Sequence, residues 1–263
     1  MDLGLQGAKV LVTAASEGLG AATALQFALE GAQVVISSRN LEKLQKTAAE
    51  INEQSGAAVF TIAADVTDIE ATQKMVRNAA EMLGGLDIVV TNAGGPPAGV
   101  FTNFDLQNWQ EATQLTLLSA VNIIRETLPY LRQSKRAAIL TITSIAAKQP
   151  VDNLTLSNAI RPAVVGLTKT LSQELGPEGI RVNSILPGIT DTSRVKHLMQ
   201  TRAKKNGTTV DEEYQRASAN IPLRRIGQPD EFARAAVFLC SPAASFITGV
   251  ALTVDGGATK SIF

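Results

Sequence analysis

Residues 8–20 read Ala-Lys-Val-Leu-Val-Thr-Ala-Ala-Ser-Glu-Gly-Leu-Gly, from Ala8 to Gly20. The first six, AKVLVT, are apolar and rich in β-branched side chains, the pattern of a strand covered on both faces. A turn of small residues follows, and residues 19–30 then take up helical spacing. Strand, tight turn and helix in that order point free backbone N–H groups and the positive end of a helix dipole at the turn. That arrangement suits a pyrophosphate. The glycine spacing is not G-x-G-x-x-G, so the turn alone decides little. Its place between a buried strand and a helix gives it weight.

Working outward, the same alternation continues along the chain. Residues 32–38 (AQVVISS), 57–63 (AAVFTIA), 86–91 (LDIVVT), 137–143 (AAILTIT), 180–186 (IRVNSIL) and 250–254 (VALTV) are further predicted strands. Residues 41–54, 69–83, 106–131, 153–175 and 230–239 carry helical spacing between them. The expected fold is one α/β domain over 1–263, a doubly wound parallel sheet of about seven strands with helices on both faces. Residues 191–222 break the rhythm, being polar, mixed in charge and without a strand. They follow the sixth strand at the ligand-binding end of such a sheet, and a helical lid is expected there.

Composition narrows the class of function. The chain has 263 residues with 24 basic and 24 acidic side chains, so no charge excess favours nucleic acid or a membrane surface. One cysteine, Cys240, leaves no disulfide framework or cysteine-rich zinc site, and no metal site is expected. The first residues lack a basic stretch followed by an apolar run, and no apolar stretch spans a bilayer. The expected location is the cytoplasm.

Several further motifs sit at informative places. Asn92-Ala93-Gly94 follows the fourth strand, Trp109 begins a helix reaching Pro129, Arg181-Val182-Asn183 precedes Pro187-Gly188, and Val254-Asp255-Gly256-Gly257 lies near the end. With the turn at Thr13, these resemble the short-chain dehydrogenase/reductase family over nearly the whole chain. The turn is similar to that family's T-G-x-x-x-G-x-G, with Ala14 at the first glycine. Within the family the chain most resembles the 3-oxoacyl-[acyl-carrier-protein] reductases.

The resemblance implies a Rossmann-like dinucleotide site. It places Thr13, Ser16, Glu17, Gly18, Leu19 and Gly20 around the diphosphate and Asp65 and Val66 beside the adenine. Asn92, Ala93 and Gly94, and then Pro187, Gly188, Ile189 and Thr190, flank the rest of the cofactor. The end of the second strand decides how the adenine ribose is read. An acid there would accept from the ribose 2′-hydroxyl and repel a 2′-phosphate. This chain has Ser38, Arg39 and Asn40 instead, and a guanidinium forks onto a phosphate, so NADP(H) is expected over NAD(H). Glu17 departs from the basic residue that many NADP-preferring relatives carry there. The resemblance also implies a homodimer or homotetramer.

In the family, an asparagine, a serine, a tyrosine and a lysine carry the proton chemistry of hydride transfer. Tyrosine and lysine at i and i+4 share one helix face. The matching positions here are Thr116, Ser144, Ser157 and Arg161, and only the serine after the fifth strand is retained. An alkyl hydroxyl is a far weaker acid than a phenol, whose ordinary pKa is about 10. Arg161 keeps a charge that can hold ribose hydroxyls, and Pro162 beside it removes a helical N–H. Other candidate proton donors are Tyr214, Lys148 and His197, with Tyr130 expected far from the site. Arg132, Lys135 and Arg136 read as cations at a helix C-terminus before they read as a docking patch.

Two functions remain open on these residues. One is an NADP(H)-dependent oxidoreductase acting on a small carbonyl or acyl-thioester substrate through an altered relay. The other is an NADP(H)-binding homologue without catalysis, serving as a sensor or subunit partner.

Overall fold

Val10, Leu11 and Val12 are fully buried, as a doubly covered strand requires. In the computed structural model, which describes residues 2–262, they form the middle of β1 (Lys9–Thr13). The other strands are β2 (Gln33–Ser38), β3 (Val59–Ala63), β4 (Ile88–Thr91), β5 (Ala138–Ile142), β6 (Arg181–Pro187) and β7 (Ala251–Val254). They make one sheet in the order β3-β2-β1-β4-β5-β6-β7, every pair parallel. The winding reverses between β1 and β4, so the crevice for a ligand opens at their carboxyl ends.

Parallel strands need crossover helices, and these cover both faces. Helix α1 (Gly18–Leu29) and α2 (Leu41–Ser55) pack on one face, where Phe27, Leu44 and Ile51 join a core with Val10, Val12 and Ile36. Helix α3 (Ile69–Leu83) packs on the other, with Met75 and Val76 against Leu11, Val35 and Val89. Alternate residues of β1 therefore feed opposite cores. Asn40 caps α2 by accepting from the Lys43 N–H (2.8 Å), and Asp68 caps α3 by accepting from Ala71 (3.0 Å).

The helical pattern over 106–131 corrects to three pieces in one path. Helix α4 (Leu106–Thr113) runs into a π-helical turn (Gln114–Leu118), then α5 (Ser119–Leu131). A wide turn adds one residue to the helix circumference and turns out a side chain that regular spacing would not. The later helices are α6 (Thr155–Glu174), α7 (Ser193–Asn206), α8 (Val210–Ala219) and α9 (Pro229–Cys240). Residues 191–222 thus fold as a helix pair beyond β6, each helix capped by a threonine, Thr192 and Thr209.

Two of the three cations after α5 are engaged by the fold. Arg132 donates twice to Glu178 (2.6 and 3.2 Å), and Arg136 pairs with Asp87 (3.4 Å) and donates to the Gly4 and Gln6 carbonyls. Arg181 donates to the carbonyls of Leu239, Cys240 and Ser241 at the end of α9, which is where a cation offsets the helix dipole. Among the described residues no helix is long and apolar enough to cross a membrane, and no cluster of His, Cys, Asp and Glu is built to hold a metal.

Candidate active site

The turn between β1 and α1 is held from three sides. Thr13 Oγ1 donates to the Asn92 carbonyl (2.8 Å) and accepts from the Asn92 N–H (2.9 Å), locking the ends of β1 and β4 together. Asn92 Nδ2 donates to the Ala14 carbonyl (3.2 Å), and Thr47 of α2 donates to the Ser16 carbonyl (2.7 Å). Ala14 sits at φ +47°, a left-handed conformation that favours glycine. Gly20 faces the turn so closely that a Cβ there would lie 2.5 Å from the Ala14 oxygen. Helix α1 therefore approaches its own turn, and its N-cap residue Glu17 makes no capping bond, leaving the first N–H groups open. Such a cradle fits a diphosphate.

Glu17 is directed elsewhere. Its Oε2 accepts from Ser193 Oγ (2.9 Å), and Thr192 lies against Gly18, so the start of α7 is fastened to this turn. At the end of β2, Ser38 is part-buried and Arg39 is exposed, with no ion pair to any described residue. Asp65 holds its own loop by accepting from the N–H and hydroxyl of Thr67 (2.9 and 2.8 Å), above buried Val66.

A cavity opens where β4, β5, the π-helical turn and α6 converge. It is lined by Asn92, Ala93 and Gly94, by Thr116, by Thr143 and by Arg161. Thr116 is 8 % exposed and Thr143 is 4 % exposed, yet neither hydroxyl has a hydrogen-bond partner. Buried polar groups are normally satisfied, so these two hydroxyls call for a hydrogen-bond partner in the cavity, a water or a ligand group. The π turn presents Thr116 there, and Thr143 extends β5 by one residue.

Arg161 enters the cavity from α6 and makes no hydrogen bond or ion pair with any described residue. Burial and the neighbouring Arg194 charge push it down to about 10, so it remains a cation at neutral pH. Ser157 is buried one turn earlier, and its hydroxyl likewise makes no hydrogen bond with any described residue. Ser144 accepts at Oγ from the Ala146 N–H (3.2 Å), which leaves its own O–H free to donate.

Ile189 and Thr190 do not line this cavity. They line a second one with Arg225, Gln228 and Asp255, beyond Pro187 and Gly188, whose α-carbon packs against Asp255. Tyr214 is also placed away from proton transfer. Its hydroxyl donates to Asp191 (2.8 Å), and burial plus that bond push it up to about 12. His197 is exposed on α7, and Tyr130 packs at the far end of α5 against the second core.

One contact was not visible in the spacing of the sequence. The Arg194 guanidinium lies against Gly95, with one of its nitrogens 2.5 Å from where a Cβ would stand. Nothing in residues 191–222 distinguishes this arginine from its basic neighbours before the fold is known.

The model of the family described as enoyl-(acyl carrier protein) reductase matches residues 13–259. The chain belongs to the short-chain dehydrogenase/reductase family. It is 33% identical to the 7alpha-hydroxysteroid dehydrogenase of Escherichia coli K12 over 261 residues, covering 99% of this chain and 98% of that one. Among solved structures, the L-sorbose reductase of Gluconobacter frateurii, complexed with NADPH and L-sorbose, superposes with a TM-score of 0.96 at 33% identity. That match covers 100% of both chains. A short-chain oxidoreductase of Pseudomonas aeruginosa PAO1, NADPH-bound and described as containing an atypical catalytic center, superposes with a TM-score of 0.88. It is 30% identical, over 96% of this chain and 97% of that one. This member of the short-chain dehydrogenase/reductase family is an oxidoreductase by kinship, on a Rossmann-like sheet that its structural neighbours share.

Proposed function

We propose that this chain is an NADPH-dependent reductase of a carbonyl substrate, a ketone or 3-oxoacyl compound, with a relay that does not use a phenol. The observation that carries the reading is the cavity in which Thr116, Thr143 and Arg161 leave polar groups unpaired beside Asn92–Gly94.

The residues fit the cofactor. The open N-terminus of α1 with Ser16, Glu17, Gly18, Leu19 and Gly20 would cradle the diphosphate, with Thr13 fixing the turn. Arg39, with Ser38 and Asn40, would meet the 2′-phosphate, and Asp65 and Val66 the adenine. Asn92, Ala93, Gly94 and Arg161 would hold the nicotinamide ribose, and residues 187–190, of which Ile189 and Thr190 line the second cavity, would flank the cofactor from outside this one. When bound, NADPH supplies the hydride.

The chain's own side chains then handle the oxygen. Ser144 donates its free O–H to the substrate carbonyl. Ser157, an alkyl hydroxyl too weak to act as the terminal acid, would give its proton to the alkoxide only in concert with taking one from a water, which bulk solvent re-protonates. Arg161 sets a positive potential that favours the developing alkoxide, and Thr116 holds a water of the relay. Helices α7 and α8, fastened by Ser193 to Glu17, form the lid over this cleft. The fully exposed Phe246 supports pairing with further copies of this chain.

The test is NADPH oxidation by the wild-type protein over a panel of ketones and 3-oxoacyl thioesters, beside the variant carrying Ser157→Tyr with Arg161→Lys. Turnover by the wild type is expected. Tight NADPH binding with no turnover, and activity gained only in the double variant, would identify a non-catalytic homologue instead.

A further inference from the structure

The charges around the cavity do not balance. Arg161 lines it from α6, and Arg194, an exposed residue in the first turn of α7, lies on Gly95 next to the cavity residue Gly94. Neither guanidinium is hydrogen-bonded to, or ion-paired with, any described residue. The acids that flank Arg194 are engaged elsewhere. Glu17 accepts from Ser193, and Asp191 accepts from Tyr214 and pairs with Lys196 (3.8 Å). Two like charges with no counter-ion between them repel each other, and burial adds a penalty at Arg161, whereas Arg194 is exposed. The repulsion is visible in Arg161, which the Arg194 charge pushes in the same direction as burial does.

An oxyanion between them removes that penalty, because a guanidinium presents paired donors to a carboxylate. The hydroxyls of Thr116 and Thr143 supply further unpaired groups on the same wall. We propose that Arg194, acting with Arg161, is the specificity-determining residue of the substrate site, and that the carbonyl substrate carries a carboxylate.

This inference rests on the reading of the cleft as an NADPH-dependent reductase site. The test is calorimetric titration of the NADPH-loaded full chain with short 3-oxo and 4-oxo acids, each beside its methyl ester. At least one acid is expected to bind about tenfold or more tightly than its ester, a preference worth about 1.4 kcal/mol. Arg194→Gln should reduce that preference to under about twofold with NADPH affinity unchanged, and Arg194→Lys should restore part of it. Three results overturn the inference: no acid exceeding its ester, the preference persisting in Arg194→Gln, or Arg194→Gln weakening NADPH itself with the preference intact. The last assigns Arg194 to a cofactor phosphate. Failure of NADPH to bind at all would remove the functional reading as well, whereas NADPH binding without charge preference removes only this inference.

Discussion

Ala14 adopts φ +47° at the turn proposed to cradle the diphosphate, where a side chain crowds its own carbonyl. The sequence already marks this place as a departure, since the resembling family has glycine there, but not that the backbone keeps the glycine conformation. Left-handed alanine costs about 1 kcal/mol, and glycine loses part of that gain to unfolded-state entropy. Ala14→Gly is therefore expected to stabilise the protein by up to about 1 kcal/mol, read as a higher urea midpoint at constant slope. Tyr214 gives a second residue-scale expectation. Its pKa is raised from 10.0 to about 12, so its contribution to stability is complete below pH 10 and fades as pH rises toward 12. Tyr214→Phe should cost about 1 kcal/mol at neutral pH, lose that effect above pH 12, and leave reductase turnover unchanged. A drop in turnover would return Tyr214 to the relay.

Elements place these residues, and here the sequence was read unevenly. The seven strands and the helix starts at Leu41, Ile69 and Leu106 were legible because β-branched runs, caps and glycine stops agree with one another. The π turn at Gln114–Leu118 was not, because a single extra residue in a helix leaves the apolar stripe nearly intact. Yet that turn is what aims Thr116 into the cavity. The Thr13–Asn92 latch was half visible. Both residues stood in motifs, but their mutual bonding between the ends of β1 and β4 depends on which strands are neighbours. Thr13→Val removes both bonds, and the unpaired Asn92 groups it leaves should cost about 2 kcal/mol, measured by denaturant unfolding. Cofactor affinity should fall too, since the latch holds the turn in place. A silent Thr13→Val would show that the turn is shaped by α1 packing alone.

At the scale of the whole molecule, the strand order brings four distant segments to one cavity: the loop after β4, the π turn, the end of β5 and α6. Topology rules made that convergence legible in advance. They do not reach loop and lid side chains, which is why Arg194 against Gly95 emerged only from the fold. The same limit explains residues 187–190, where Ile189 and Thr190 face a second cavity. The proposed cofactor site runs from the α1 turn to Arg39 and across to Arg161. Its most direct measurement is paired fluorescence titration of the wild type and Arg39→Ala with NADPH and with NADH. NADPH should bind the wild type about tenfold to a hundredfold more tightly than NADH, as expected for a charge-assisted phosphate contact. Arg39→Ala should bring the two affinities together by weakening NADPH alone. Absence of saturable binding by either nucleotide, or a preference untouched by Arg39→Ala, would contradict it.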